Sequence, residues 1–262
     1  MNILISGGSS GLGLALCKKF VGEKRVKKII IIGRRKIFKF NSKKVQYYST
    51  DLSEKNSIDN FLKKIYRINK IDVLINNAGS IFVKKELNSL KIEKTIFVNF
   101  IAPVYIFYKL KKKIFKSNYK TVINIISHAN KPSNYSDILN FRSHRFNFWE
   151  RYNRSKFYLT LFSFYLSQTF KNYSLRSICI NPGRISTKFG KNNKIFKFPI
   201  YFYLKIFGKD PEMISENIKK IVFRKYSYKI HYDFNKDLKF NYNKRRKFII
   251  MFIIKKILKK LR

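Results

Sequence analysis

Short apolar runs alternate along this chain with longer stretches in which apolar residues recur at helical spacing. Polar or turn residues bound each run, as expected for strands buried on both faces. Such strand and helix alternation builds a parallel sheet, and right-handed crossovers wind it in both directions. We therefore predict an α/β fold, a doubly wound parallel sheet with helices on both faces. The predicted strands are residues 3–5, 29–32, 45–48, 73–75, 122–126 and 177–180, with 228–232 as an edge strand.

A glycine-rich turn follows the first predicted strand and precedes a stretch of helical periodicity at residues 12–20. Glycines let the backbone of such a turn approach a pyrophosphate closely, and the N–H groups and dipole of the following helix favour its negative charge. The alternative is an ordinary strand-to-helix loop. The turn reads Ser6-Gly7-Gly8-Ser9-Ser10-Gly11-Leu12-Gly13, and the contacts expected from it are Ser6, Gly7, Ser9, Ser10, Gly11, Leu12 and Gly13.

The spacing Gly-x-x-x-Gly-x-Gly resembles that of the short-chain dehydrogenase/reductase family. Ser6 stands where family members commonly carry threonine, which keeps a hydroxyl at this position. The resemblance covers residues 1–225 and implies a single-domain Rossmann fold that binds a nicotinamide dinucleotide. Further motifs follow in the family's order: Asp51-Leu52, Asn76-Asn77-Ala78-Gly79, Ser127, Tyr152-Asn153-Arg154-Ser155-Lys156 and Asn181-Pro182-Gly183.

Two arginines, Arg34 and Arg35, follow the second predicted strand, where an NAD-binding site would carry a carboxylate for the ribose 2′-hydroxyl. Guanidinium groups suit a 2′-phosphate instead, through charge-assisted hydrogen bonds. We therefore expect NADP(H) to be preferred, with NAD(H) as the alternative if both arginines are merely exposed.

The resemblance implies the remaining cofactor contacts. Asp51, with Leu52, is expected at the adenine edge, and its alternative role is a helix N-cap. Asn77, Ala78 and Gly79 are expected to line the adenine-ribose pocket, in a segment that also stabilises the sheet. The segment after the sixth strand resembles the one that contacts the nicotinamide carboxamide, through Pro182, Gly183, Ile185 and Thr187.

Tyr152 and Lys156 are four residues apart and so lie on one face of a helix. Six such Tyr/Lys pairs occur in the chain, but only this one lies between the strand-end Ser127 and the turn at residues 181–183. By resemblance, Tyr152 exchanges a proton with the substrate oxygen, Ser127 binds that oxygen, Lys156 favours the phenolate and holds the ribose, and Asn99 continues the proton relay. The alternatives are a core aromatic for Tyr152, a polar strand end for Ser127 and a helix-face residue for Asn99.

Residues 127 and 152 are further apart than in most of the family, which resembles its retinol-dehydrogenase-like and protochlorophyllide-reductase-like branches. The intervening segment carries His144, Phe146, Phe148 and Trp149. These rings line an apolar substrate pocket or pack an ordinary loop. An aromatic segment at about residues 190–210 is expected to form a flap over a lipophilic carbonyl or alcohol substrate; a partner subunit or membrane is its alternative.

The formal net charge of +44, from 58 Lys and Arg against 14 Asp and Glu, favours polyanionic partners in isolation. No nucleic-acid recognition motif accompanies it, and codon bias toward Lys, Asn, Ile, Phe and Tyr offers a simpler account. Nucleic-acid binding is therefore not expected. Three functions remain: an NADP(H)-dependent oxidoreductase, an inactive cofactor-binding regulator or scaffold, and a polyanion-binding protein built on the same fold.

The last 27 residues are expected to form a basic, apolar tail, residues 236–262, attached to a domain of residues 1–235. Nine basic residues and no acidic one occur in residues 244–262. This segment is either a helix on an anionic bilayer or one docked on the domain or a second subunit. Its run of seven apolar residues is too short to span a bilayer. Two cysteines without metal-ligand spacing predict a reducing cytoplasm and no metal site, and the family resemblance implies a homo-oligomer.

Overall fold

A seven-stranded, fully parallel sheet forms the centre of the protein in a computed structural model. The structure describes residues 1–34, 40, 42–127, 146–186, 208–224, 231–234 and 242–261. The strand order is β3-β2-β1-β4-β5-β6-β7, so the chain reverses its direction of winding between β1 and β4. The strands are β1 (Asn2–Ser6), β2 (Lys28–Gly33), β3 (Val45–Ser49), β4 (Val73–Asn76), β5 (Thr121–Ile125), β6 (Arg176–Asn181) and β7 (His231–Asp233).

Helices cover both faces of this sheet. Side-chain caps help to define where several of them begin: Asn147, Asp210 and Asn243 each accept a hydrogen bond from a backbone N–H in the first turn. The helices are α1 (Gly11–Val21), α2 (Lys55–Lys64), α3 (Lys94–Ile96), α4 (Ala102–Phe115), α5 (Phe148–Thr169), α6 (Pro211–Phe223) and α7 (Lys244–Lys260), with a π-helical turn (Phe97–Ile101) between α3 and α4 and a short 3-10 helix (Lys171–Tyr173) after α5.

Alternation along the strands divides the hydrophobic core in two. In β1, Ile3 and Ile5 belong to the cluster that includes residues of α1 and α6, whereas Leu4 belongs to the cluster that includes residues of α4 and α5. Successive side chains of a strand point to opposite faces, so a continuous apolar run is what a sheet covered on both sides requires. The predicted fold class is thereby confirmed.

The first six predicted strands are all present, and each of their bounds lies within one residue of the predicted one. The predicted edge strand also exists, but as His231–Asp233, and residues 225–230 lie outside the described part of the chain. It pairs in parallel with β6, where Ile180 is opposite Tyr232.

The C-terminal segment forms a helix, α7, that packs on the domain. Ile250, Ile253, Ile254, Ile257 and Leu261 are buried in the same cluster as the core of α4 and α5. Of the alternatives for the tail, a docked helix is therefore observed. Among the described residues, no helix combines the length and apolarity that crossing a bilayer requires.

Candidate active site

The glycine-rich turn connects β1 to α1 and is held against the end of β4. Gly7 and Gly11 have φ angles of +69° and +51°, which side-chain-bearing residues rarely adopt. Backbone N–H groups of Asn77 and Ala78 each donate to Ser6 Oγ at 3.1 Å. The hydroxyl retained at residue 6 thus joins the two strands at the point where the winding of the sheet reverses.

Gly13 has no room for a side chain. A Cβ there would lie 2.2 Å from the carbonyl oxygen of Gly7 and 2.5 Å from Nδ2 of Asn77. That amide in turn donates to the carbonyl oxygens of Ser6 and Gly7, both at 3.1 Å. The first turn of α1 therefore packs directly on the glycine-rich turn and supports its conformation.

Arg34 is exposed immediately after β2, and Gly33 lies beside Ser9 of the glycine-rich turn. The carbonyl oxygen of Gly33 accepts a hydrogen bond of 2.5 Å from the Tyr47 hydroxyl. This bond ties the end of β2 to β3. Arg35, the second predicted 2′-phosphate ligand, lies outside the described residues.

Asp51 follows β3 and organises its own turn. Its Oδ1 accepts hydrogen bonds from Ser53 N at 2.9 Å and Ser53 Oγ at 2.8 Å. The N-cap position of α2 belongs to Glu54, so the alternative role of Asp51 as the N-cap of this helix is wrong. Leu52, beside it, is buried in the core.

Ser127, Tyr152 and Lys156 lie together where β5 ends and α5 begins. The hydroxyl of Tyr152 shares a hydrogen bond with the side chain of Ser127. Lys156 Nζ donates to the carbonyl oxygen of Ile125 at 2.9 Å and lies 5.9 Å from the centre of the Tyr152 ring. A strand end and one face of a helix thus bring two hydroxyls and an ammonium group together.

Burial changes the proton affinity of two of these groups. Protein atoms surround the phenol oxygen of Tyr152, although the ring is partly exposed, and this burial raises the tyrosine pKa while the hydrogen bond with Ser127 opposes the shift. Burial lowers the pKa of Lys156 from 10.5 to about 8. At neutral pH Tyr152 is therefore protonated, and most Lys156 side chains carry their charge.

Asn99 lies in the π-helical turn before α4 and is fully buried. Its Oδ1 accepts from Ser80 N at 2.8 Å, and its Nδ2 donates to Ser80 O at 2.9 Å and to Ser155 Oγ at 3.0 Å. Ser155 Oγ donates to the backbone oxygen of Tyr152 at 2.7 Å. The Asn99 side chain thus connects the loop after β4 with the helix that carries Tyr152 and Lys156.

Sequence reasoning missed the part played by Ser155, although it lies within the Tyr152 to Lys156 motif. It also missed how closely Gly79 approaches the site. A Cβ at Gly79 would lie 3.3 Å from Lys156 Nζ and 3.7 Å from Asn99 Oδ1. A side chain at residue 79 would therefore press on the lysine ammonium, which would have to shift by a few tenths of an ångström.

A buried chain of polar side chains supports the neighbouring strand ends. Asn76 Nδ2 donates to Asn124 Oδ1 at 2.7 Å, and Asn124 Nδ2 donates to Ser163 Oγ at 2.8 Å. The chain links β4, β5 and α5. The local sequence did not predict this chain of hydrogen bonds, because Asn76 and Asn124 become neighbours only when β4 pairs with β5.

The segment after β6 is also anchored. Asn181 is fully buried; its Nδ2 donates to both carboxylate oxygens of Asp233 in β7 at 3.1 Å, and its Oδ1 accepts from Gly183 N at 3.1 Å. Gly183 has a φ of +76°. Pro182 is buried, and Ile185 forms a bridge with Lys209. Thr187 lies outside the described part of the chain, as do residues 190–207 of the expected flap.

Aromatic rings flank the site at the start of α5. Trp149 is exposed, and its ring lies 6.5 Å from that of Tyr152 in an edge-to-face arrangement. The ring centres of Phe148 and Trp149 are 5.5 Å apart. His144 lies outside the described residues. In the described part of the chain, no group of three His, Cys, Asp or Glu side chains is arranged to hold a metal ion.

Residues 1–196 match the profile of the family described as short chain dehydrogenase. The chain belongs to the short-chain dehydrogenase family. It is accordingly an oxidoreductase by class, with the nucleotide-binding Rossmann fold of that family.

Curated relatives of this short-chain dehydrogenase include an uncharacterized oxidoreductase of Thermotoga maritima, 26% identical over 206 residues, which are 75% of each protein. An uncharacterized oxidoreductase of Saccharomyces cerevisiae is 31% identical over 130 residues, 47% of this chain and 42% of the yeast protein. The second match thus leaves more than half of that relative uncovered.

Two solved structures show the same fold. A serine dehydrogenase complexed with NADP+ has a TM-score of 0.69 and 19% identity over 93% of this chain and 98% of its own. A 4-hydroxyisoleucine dehydrogenase complexed with NADH has a TM-score of 0.69 and 21% identity over 88% of this chain and 95% of its own. At these identities the likeness establishes the architecture of this short-chain dehydrogenase and leaves its substrate open.

Proposed function

We propose that this short-chain dehydrogenase transfers hydride between NADP(H) and a lipophilic carbonyl or alcohol substrate, with Tyr152 as the acid and base. The observation that carries the proposal is the meeting of Tyr152, Ser127 and Lys156 at the carboxyl end of the sheet. Ligands bind at this edge of doubly wound sheets, near the point where strand order reverses. When bound, the nicotinamide supplies or accepts the hydride.

The residues at the glycine-rich turn fit a dinucleotide. Positive φ angles at Gly7 and Gly11 and the missing side chain at Gly13 leave the N-terminal end of α1 accessible to a pyrophosphate. The exposed Arg34 lies at the end of the adjacent strand, where a ribose 2′-phosphate would be bound. Neighbours of the same fold hold NADP+ or NADH, which supports a nicotinamide cofactor of either kind.

The protonation states fit Tyr152 as the acid in carbonyl reduction. A protonated Tyr152 can donate its proton to the substrate oxygen, and Ser127 can donate a second hydrogen bond to the same oxygen. A charged Lys156 then stabilises the phenolate that remains. Asn99 and Ser155 act as positioning residues, since their hydrogen bonds fix the helix that carries Tyr152 and Lys156.

The aromatic rings beside Tyr152 support an apolar substrate. Phe148 and Trp149 form one continuous aromatic surface next to the tyrosine. Such a surface suits the retinol-dehydrogenase-like or protochlorophyllide-reductase-like branch and lipophilic substrates in general.

The proposal is tested by titrating the protein with NADPH and NADH in a calorimeter and then following NADPH oxidation over a panel of aldehydes and ketones. We expect tight NADPH binding and turnover of apolar carbonyls. Binding without turnover of any carbonyl would indicate a cofactor-binding regulator. Absence of binding to either cofactor would overturn the proposal.

Replacing Arg34 with alanine is expected to raise the Kd for NADPH about tenfold or more and to leave that for NADH unchanged. A charge-assisted hydrogen bond to phosphate contributes about 1.5–3 kcal/mol, and each 1.4 kcal/mol is a factor of ten. Calorimetry measures both Kd values for the single variant and for the double variant Arg34→Ala with Arg35→Ala. Arg67→Ala, an exposed arginine after α2, is the charge-matched control. Parallel losses of NADPH and NADH affinity would contradict the assignment.

The rate of carbonyl reduction is expected to fall as pH rises through about 8, since Lys156 then loses its proton. Burial of the ammonium costs folding free energy below this pH, and that cost is relieved between about 8 and the ordinary 10.5. Rate and thermal stability should therefore change in opposite directions as this lysine titrates. A pH profile of kcat/KM, with Lys156→Arg as the variant that stays charged, measures the effect. An identical descending limb in both proteins would refute it.

A further inference from the structure

The outer face of α7 combines exposed aromatic residues with positive charge. Phe248 is 66% exposed and Phe252 is 49% exposed, one helical turn apart. Phe248 is the most exposed large apolar side chain among the described residues. At about 100° per residue both rings lie opposite the buried stripe of Ile250, Ile253 and Ile257. The helix thus presents apolar side chains on two opposite faces, and only one of them is covered.

Basic side chains surround the two phenylalanines, and residues 242–262 contain no acidic residue. Helical geometry places most of these side chains on the same side as the rings. Lys256 Nζ lies 4.5 Å from the centre of the Phe252 ring. The exposed basic residues of the helix are Lys244, Arg245, Lys247, Lys255, Lys256, Lys259 and Lys260.

We propose that this face of α7 docks on an anionic lipid bilayer. Phenylalanines at the centre of the face enter the boundary between headgroups and acyl chains, and the surrounding lysines bind lipid phosphates. A second copy fits poorly, because a two-fold contact would bring two uniformly basic faces together. Single-stranded nucleic acid favours a basic groove lined with aromatic side chains, whereas this face is the outside of an outer helix.

The start of α7 lies beside the part of α5 that carries the candidate active site. The ring of Tyr242, just before α7, stacks on Phe164 at 5.3 Å, and the guanidinium of Arg246 lies 5.9 Å from the ring of Phe157. The chain therefore runs along α5 toward the end that carries Lys156. The inference itself rests on the exposed face of α7 and holds whatever reaction the site performs.

The experiment is co-sedimentation of the full chain with vesicles of phosphatidylcholine alone and of phosphatidylcholine with phosphatidylglycerol. We expect binding to the anionic vesicles only, weakened by salt. The double variant Phe248→Ser and Phe252→Ser should lower the partition coefficient about tenfold or more, and Lys255→Glu with Lys259→Glu should also lower it. The control double variant is Tyr66→Ser with Met213→Ser, which removes exposed apolar side chains elsewhere, 63% and 50% exposed, and should change nothing.

Each other outcome overturns the proposal. Wild-type protein that stays in solution with anionic vesicles contradicts it directly. Equal binding by the phenylalanine variant and the control shows charge attraction without a docking face. Loss of single-stranded RNA binding or of self-association in the phenylalanine variant, with unchanged vesicle binding, assigns the face to those partners. Circular dichroism and thermal unfolding of each variant report whether its domain is folded, and they separate this result from the proposed function because they need no cofactor.

Discussion

Tyr152→Phe is expected to lower the rate of carbonyl reduction about 10³-fold while the Kd for NADPH stays the same. The substitution removes the phenol oxygen of Tyr152, which is hydrogen-bonded to Ser127 and which the proposal assigns as the proton donor. General acid catalysis contributes about 10²–10⁴-fold to enzymatic rates. The ring and its contact with Trp149 are retained, so the shape of the site is preserved. Single-turnover kinetics with NADPH, and calorimetry for binding, measure the two quantities separately.

The matched control lies on the same helix. Tyr165 shares a hydrogen bond with Tyr108, away from the candidate site. Tyr165→Phe should therefore lower the free energy of unfolding by about 1 kcal/mol and leave turnover intact. A Tyr152→Phe protein that reduces substrate at the wild-type rate would remove Tyr152 from the mechanism, and a Tyr165→Phe protein that loses turnover would show that the assay reports folding.

Gly13→Ala should raise the Kd for NADPH at least about tenfold and lower the free energy of unfolding by about 1–3 kcal/mol. Two effects oppose each other. Alanine is favoured over glycine within a helix by about 1 kcal/mol, but its Cβ would lie 2.2 Å from a backbone oxygen and 2.5 Å from Nδ2 of Asn77. Neither neighbour moves freely, since both belong to the hydrogen-bonded turn. The unfavourable contact therefore outweighs the gain in helix propensity, and the turn shifts away from the geometry that fits a pyrophosphate.

Gly22 offers the converse case at the other end of the same helix. Its φ is −69°, and the nearest atom to an added Cβ is 3.9 Å away. Gly22→Ala should raise the free energy of unfolding by about 0.4–1 kcal/mol, because it restricts the unfolded chain without strain in the folded one. Denaturant unfolding and NADPH titration of both variants provide the test. A Gly13→Ala protein as stable and as tight-binding as wild type would mean that the turn accommodates a side chain.

Burial of polar groups in the candidate site lowers the free energy of unfolding. Lys156 is held away from solvent with one hydrogen bond to a backbone oxygen, and Asn99 is fully buried with its amide satisfied by Ser80 and Ser155. Burial disfavours the charged form of the lysine, which is visible in its lowered pKa. The proposed role of Lys156, positive charge beside Tyr152, would account for retaining so unfavourable a group.

Local patterns along the chain were enough to predict the fold class and the candidate motifs. Apolar runs mark the strands because a strand buried on both faces must be apolar throughout. Glycine positions mark the turn because only glycine tolerates positive φ and close backbone approach without strain. Position along the chain selected the Tyr152 and Lys156 pair from six pairs of equal spacing, since only this pair lies between the strand-end Ser127 and the turn at residues 181–183. The edge strand predicted at residues 228–232 is observed as His231–Asp233, and residues 225–230 lie outside the described part of the chain.

Only the tertiary structure decided which distant residues support the site. Contacts such as Asn99 with Ser155, Asn76 with Asn124 and Asn181 with Asp233 join residues 48 to 56 positions apart, and nothing in their local sequence specifies the partner. The same holds for α7, whose isoleucines find their partners on a core built from earlier helices. The sequence by itself determines the elements, because periodicity and backbone preference are local properties. Sheet order and helix packing determine the pairings, since these depend on which elements become neighbours in space.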